Sequence, residues 1–179
     1  MILRPLTPET AGEESAAILK TMEQTIGMIP NIYSLLAHSP KALKAYLKFD
    51  QELEEGEFSP LESQAVKLAV SQANASEYCL AAHSAVVKML GMKEDEILAV
   101  RRAVTKDPKL SALTALAREI VLTRGFPEKN YLDNFFEAGY SKAALIELIG
   151  LVALKTFSNY FHHIAGTPVD FPMPPGLSD

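Results

Sequence analysis

No run of six residues alternates apolar and polar side chains, and β-branched residues do not cluster, so the sequence predicts no strands. Its punctuation is helical instead. Ser39-Pro40 puts a capping hydroxyl before a proline at the first helical position and opens a helix through Leu53. Ser59-Pro60-Leu61-Glu62 repeats the arrangement as a capping box, with Glu62 able to reach back to the Ser59 amide. The helix it opens carries Ala65, Leu68 and Ala69 towards Asn74. Ser76 to Leu90 follows and stops at Gly91, which suits the left-handed residue that ends many helices. Lys93 to Arg102 has acid at its start and base at its end, as the helix dipole favours. Asp107-Pro108 opens a helix stopping at Arg124-Gly125, Phe126-Pro127 turns into one ending at Gly139, and Ser141 opens the last long one. Pro168, Pro172, Pro174 and Pro175 make the tail from Thr167 an extended arm, either frayed or laid across a neighbouring subunit.

Between Ala143 and Leu154 the last helix is apolar on every face. Such a helix has to be covered all round, by a central position or by a second copy of the chain, and this predicts a homo-oligomer. The stretch falls short of the ~20 residues that cross a bilayer and carries Glu147, so it reads as a buried helix. Glu147 is expected to pair with Lys155 or with a residue of another helix. The 179 residues suit a single domain over 1–179 with the arm at 167–179. Composition is globular, with 48% apolar and 22% charged residues. A net charge of −5 with no basic stretch argues against nucleic acid as a partner. One cysteine excludes an internal disulfide and fits a reducing compartment. Met1 to Pro8 lacks the pattern of a secretion signal, so a cytoplasmic location with no membrane partner is expected.

The candidate chemistry gathers around that cysteine, in Asn74-Ala75-Ser76-Glu77-Tyr78-Cys79-Leu80-Ala81-Ala82-His83. With Ser76 as the N-cap, Cys79 is the third helical residue, where free amides and the dipole favour a thiolate. His83 lies four residues on, on the same helix face, and can take the thiol proton or hold the anion. Glu77 in the same turn opposes a second negative charge. A lone cysteine on a helix is also, in general, a small buried hydrophobe. No metal site is expected. His162 and His163 point about 100° apart on a helix, and no CxxC or HExxH supplies further ligands. His38, before Ser39-Pro40, reads as loop surface. No cofactor is expected, since Gly91, Gly125 and Gly139 read as helix stops rather than phosphate loops.

The segment Leu61 to Gly91 resembles the carboxymuconolactone decarboxylase superfamily, and within it the alkylhydroperoxidase D-like, peroxidase-related branch. The matching residues are Leu68-Ala69-Val70-Ser71, Asn74, Glu77-Tyr78-Cys79, Ala81-Ala82-His83 and Gly91, and the likeness continues in Ile29-Pro30-Asn31-Ile32-Tyr33, Ala37-His38-Ser39-Pro40, Ala138-Gly139-Tyr140-Ser141 and Asn159. The resemblance implies an all-α fold of six or more helices, assembly into dimers, trimers or hexamers, and small-molecule chemistry near the thiol. The peroxidase branch has Cys-x-x-Cys, a histidine four residues after the second cysteine and a glutamate twelve before the first. Carried over, the second cysteine is Cys79 and the histidine His83, while Ser76 stands for the first cysteine and Gln64 for the glutamate. Ser76 cannot resolve a sulfenic acid into a disulfide, and Gln64 cannot accept a proton as a carboxylate does. Ser76 is then foremost an N-cap. Three functions follow. One is a one-cysteine hydroperoxidase with Cys79 attacking the peroxide, His83 as base, Gln64 holding His83 or a water, and an external thiol as reductant. Another is an acid–base enzyme in which His83 moves protons and Cys79 lines the pocket. The last is a non-catalytic helical binding scaffold.

Overall fold

The structure is a computed structural model that describes residues 3–177. Among these residues every regular element is a helix: α1 (Glu13–Ile26), α2 (Asn31–Leu36), α3 (Pro40–Glu54), α4 (Pro60–Ala73), α5 (Glu77–Met89), α6 (Glu94–Arg102), α7 (Pro108–Leu122), α8 (Lys129–Glu137) and α9 (Lys142–Ala165). From α3 onward the helices begin and end where the sequence punctuation puts them. The Ser59–Glu62 capping box is formed, with Ser59 N donating to Glu62 Oε2 at 3.0 Å and Glu62 N to Ser59 Oγ at 3.3 Å. Gly91 takes the left-handed conformation at φ 96°.

Two helices precede those read from the pattern. The residue before α1 is Gly12, which offers no capping side chain, and the stripe α1 buries is narrow, namely Ser15, Leu19 and Met22. Its start is not announced in the way Ser39-Pro40 announces α3, although Gly27 closes it in the left-handed conformation at φ 83°.

The central helix is α4, which packs against α5, α6, α7 and α9. Its buried residues run without a break from Ala65 to Ser71, including Lys67. The last helix is not covered all round by its own chain, which was the first of the two arrangements expected for it. α9 packs on α3, α4 and α7, but Ile146 and Ile149 on its outer face are 72% and 51% exposed. At 24 residues it is long and apolar enough to span a bilayer by length and composition. Lys155, Ser158 and Asn159 all face the protein core, however, as in the core helix of a globular fold. The expected pairing of Glu147 with Lys155 is absent among the described contacts. Glu147 Oε2 instead accepts the Glu57 amide at 2.6 Å and braces the α3–α4 loop. A side chain at Gly56 would meet that carboxylate and push the flexible end of Glu147 away from the Glu57 amide.

The C-terminal arm is neither frayed nor, in its described part, free to lie on a neighbour. Asp170 Oδ2 accepts the Asn31 amide at 2.6 Å, Asn31 Nδ2 donates to Pro168 O at 3.1 Å, and Arg101 Nη1 donates to Pro175 O at 2.5 Å. The arm is strapped across its own chain. The last two residues of the 167–179 segment, and the first two of the Met1–Pro8 segment, lie outside the described residues.

Candidate active site

The site is built where α4 turns into α5. Asn74 ends α4, and Ala75 adopts φ 53°, the left-handed region usually left to glycine. That single residue reverses the chain and delivers Ser76 and α5 against α4. Cys79 is the third residue of α5, as the sequence placed it, and is 2% exposed. Its surroundings are mostly apolar, with Leu19, Ile32, Leu36, Leu43 and Tyr78 in the same cluster. Its polar neighbour is Ser158 on α9, whose Oγ lies 4.0 Å from Sγ.

Ser76 precedes α5 as the N-cap by position, but its side chain makes no capping hydrogen bond. The hydroxyl is fully buried and has no partner among the described residues. Capping is therefore not the role of this side chain, contrary to the sequence expectation.

His83 sits one turn beyond Cys79 on α5 and is half-buried. Its Nδ1 lies 2.9 Å from Gln64 Oε1. Gln64 Nε2 is committed as donor to Glu54 Oε1 at 3.2 Å, which turns its carbonyl oxygen towards the imidazole. The histidine nitrogen must then be the donor, so Nδ1 carries the proton and Nε2 keeps its lone pair. Burial is the main reason why the imidazolium is disfavoured, and the charges of Lys155 and Lys67 add to it, so the ring pKa lies well below its ordinary value. At neutral pH His83 is a neutral base with a fixed tautomer.

Behind Gln64 stands a buried charge cluster. Glu54 Oε1 accepts from Ser63 Oγ at 2.9 Å, from Gln64, and from Lys67, which also donates to Asp50 Oδ1 at 2.6 Å. Lys67 is 2% exposed and is neutralised by the two carboxylates of α3. On the other side Lys155 Nζ donates to Tyr46 OH at 3.4 Å, and Ser158 Oγ donates to the Lys155 carbonyl at 3.1 Å. Burial pushes the phenols of Tyr33 and Tyr46 upward, so both stay protonated. Asn159 ties α9 to α4 by donating to Ser71 Oγ at 3.3 Å and accepting from Asn74 Nδ2 at 3.0 Å.

The structure thus brings Cys79, His83 and Gln64 into one region, with His83 bonded to Gln64 and Cys79 in contact with Ser158. Among the described residues no hydrogen bond joins Cys79 to His83. The pattern reading passed over Asp50, Glu54, Lys67, Tyr46, Lys155 and Ser158. A signal for two of them was present. Lys67 interrupts the apolar run Ala65 to Val70, and Lys155 directly follows the run Leu151 to Leu154. A lysine inside or next to such a run is buried and has to meet a partner. The wall of one cavity of about 320 Å³ reaches this cluster through Tyr46, between Ala42 and Ala45 of α3 and Leu154 and Phe157 of α9. The larger cavities lie elsewhere, one of about 590 Å³ lying under the arm at Met173.

Residues 40–121, which hold all of α3 to α5 and most of α7, match the carboxymuconolactone decarboxylase family. That segment is similar to the family. No functionally curated protein matches it. Its fold is shared with a peroxidase-related protein of Ralstonia eutropha JMP134 described as an alkylhydroperoxidase AhpD core, at 18% identity over 91% of this chain and 88% of the other, with a TM-score of 0.81. A peroxidase-related protein of Silicibacter sp. TM1040 is 19% identical over 88% and 85% of the two chains, with a TM-score of 0.78. A variant of the debrominase Bmp8 in complex with 2,3,4-tribromopyrrole is 19% identical over 95% and 92%, with a TM-score of 0.80. At these identities the likeness establishes the all-α fold.

Proposed function

We propose that this protein reduces hydroperoxides with Cys79 as nucleophile, His83 as base and an external thiol as reductant. The observation that carries the reading is the His83 tautomer, fixed by Gln64 and Glu54 one helical turn from a thiol at the start of α5. Nε2 takes the proton of the Cys79 thiol. The thiolate then attacks the distal peroxide oxygen, so that an S–O bond forms as the O–O bond breaks, and the imidazolium returns its proton to the leaving alkoxide. Sulfur is oxidised to sulfenic acid and the peroxide is reduced to an alcohol. One external thiol condenses with the sulfenic acid, releasing water, and a second reduces the mixed disulfide and restores Cys79. With Ser76 in place of a second cysteine, the resolving thiol has to come from outside the chain.

A second reading is favoured by exposure. Cys79 is nearly closed off, whereas His83 is half-buried with no hydrogen bond at Nε2 among the described residues, which suits an acid–base enzyme whose thiol only lines the site. Peroxide consumption with dithiothreitol as reductant separates the two. Hydroperoxide reduction requires turnover that Cys79→Ser abolishes. Turnover of a substrate that survives Cys79→Ser and is lost in His83→Asn supports the acid–base reading, and no turnover of any kind leaves a binding scaffold.

The single domain is inferred to work as a homo-oligomer in the reducing cytoplasm. On α9 the residues Ile146, Ile149, Ala153, Phe157, Tyr160 and Ile164 are all exposed and recur at intervals of three and four, so they form one apolar stripe. Phe49 on α3 widens it. A second copy is the natural cover for such a stripe. Sedimentation as a monomer at micromolar concentration would remove this inference.

A further inference from the structure

Two lysines are buried in this protein, and they are treated differently. Lys67 meets Asp50 and Glu54. Lys155, in the middle of α9 and 4% exposed, has no carboxylate within 4.0 Å among the described residues. Its side-chain partner is the neutral phenol of Tyr46 at 3.4 Å. A buried ammonium without a counter-charge is costly, and a negative charge formed nearby relieves that cost. The acidic hydrogens around it belong to Tyr33, Tyr46 and Cys79. Both phenols are ordinarily weaker acids than a thiol, which leaves the sulfur as the atom to carry that charge. The connection is short. Lys155 Nζ donates to Tyr46 OH, that hydroxyl also meets the Ser158 side chain, and Ser158 Oγ lies 4.0 Å from Cys79 Sγ. The fields of both Lys155 and Cys79 act on the phenol of Tyr33.

We propose that Lys155 is a positioning residue whose ammonium is the counter-charge of the Cys79 thiolate, with Ser158 and Tyr46 between them. No proton passes through Lys155. It keeps its own, and the thiol proton leaves for His83 Nε2 or solvent. The helix start and Lys155 then act on the sulfur from opposite ends, one through α5 and the other through α9. The ionisable groups in this cluster are Tyr33 from α2, Tyr46, Asp50 and Glu54 from α3, Lys67 from α4, His83 from α5 and Lys155 itself. Of these Lys67 is already neutralised within the cluster by Asp50 and Glu54. The purpose of the pair rests on the thiol chemistry proposed above, but its test does not.

The test is the rate of Cys79 alkylation by iodoacetamide against pH in the folded wild type, Lys155→Met and Lys155→Arg. The expected result is a profile shifted upward by about one pH unit or more in Lys155→Met, or roughly tenfold slower alkylation at a fixed pH below the midpoint, with Lys155→Arg close to wild type. A Lys155→Met profile that coincides with wild type overturns the inference, and so does an Arg variant displaced as far as the Met variant. Should neither variant fold, the Cys79 Cβ chemical shift of the wild type decides: a thiolate shift at neutral pH supports the pair, and a thiol shift overturns it. Peroxide turnover is read separately. A shifted profile with no turnover in wild type retains the role of Lys155 and removes hydroperoxide reduction, and the reverse pattern does the opposite.

Discussion

Acidification should weaken this protein through His83 in particular. In the unfolded chain its imidazole titrates near ~6.5, as a free histidine does. In the folded protein the pKa lies well below that, because burial strips water from the imidazolium and Lys155 and Lys67 repel it. The unfolded state therefore binds a proton that the folded state refuses. The sign follows: the stabilising contribution is complete above the unfolded pKa and is lost progressively as pH falls below it. Between about pH 7.5 and about pH 5.5, with the folded imidazole still neutral, the loss comes to about 1.4 kcal/mol. His83→Asn keeps an amide donor for Gln64 Oε1 but cannot titrate, and carboxylates contribute equally to both proteins. Wild type should thus lose about 1.4 kcal/mol more than the variant over this interval, which at a slope of about 2 kcal/mol per M is a urea midpoint difference of about 0.7 M. The measurement is urea unfolding of both proteins at both pH values and one protein concentration, because the stability of an oligomer depends on concentration. Equal acid losses in the two proteins would refute the neutral, field-disfavoured imidazole.

Ser76→Ala should raise stability by about 1 kcal/mol by removing a buried hydroxyl that has no partner, whereas a capping serine would lose about as much; thermal unfolding gives the sign. Ser76→Cys should create or raise thiol-dependent peroxide consumption by supplying a resolving thiol three residues before Cys79. No gain in a folded variant with both thiols accessible would mean that the turn at Ala75 does not allow the pair to close. Gly56→Ala should cost about 0.5–1.5 kcal/mol, because the new methyl displaces Glu147 from the exposed Glu57 amide, and a urea midpoint equal to wild type would contradict that bracing role.

The extent of the fold that was legible follows the strength of its local signals. Ser39-Pro40, Ser59-Pro60, Asp107-Pro108 and Ser141 each put a capping oxygen at a helix start, and the structure uses all four. α1 starts at a glycine and buries three residues, so no capping side chain marked it. Ser76 offered the same capping hydroxyl as Ser59, and there the local reading failed: its side chain makes no capping hydrogen bond, and it lacks the proline and the reciprocal glutamate that follow Ser59. Cys79, His83 and Gln64 were reachable through spacing and family resemblance. The cluster behind them joins α3, α4 and α9, and no periodicity along one helix encodes that Glu54 meets Gln64 or that Lys155 meets Tyr46. Lys67 inside one apolar run and Lys155 at the end of another marked the positions without naming the partners. The arm was misplaced for a related reason. Proline content specifies an extended chain, but its site on Arg101 and Asn31 depends on tertiary contacts.

The central claim is that Cys79, though closed off from bulk water, is a working nucleophile in the folded protein. It is tested most directly by exposing native protein to one equivalent of cumene hydroperoxide and trapping sulfenic acid with dimedone, with mass spectrometry to locate the adduct. The account predicts a dimedone adduct at Cys79 and release of one equivalent of the corresponding alcohol. An unmodified Cys79 that reacts only after unfolding in urea would contradict it and leave the thiol as a packing residue of the core.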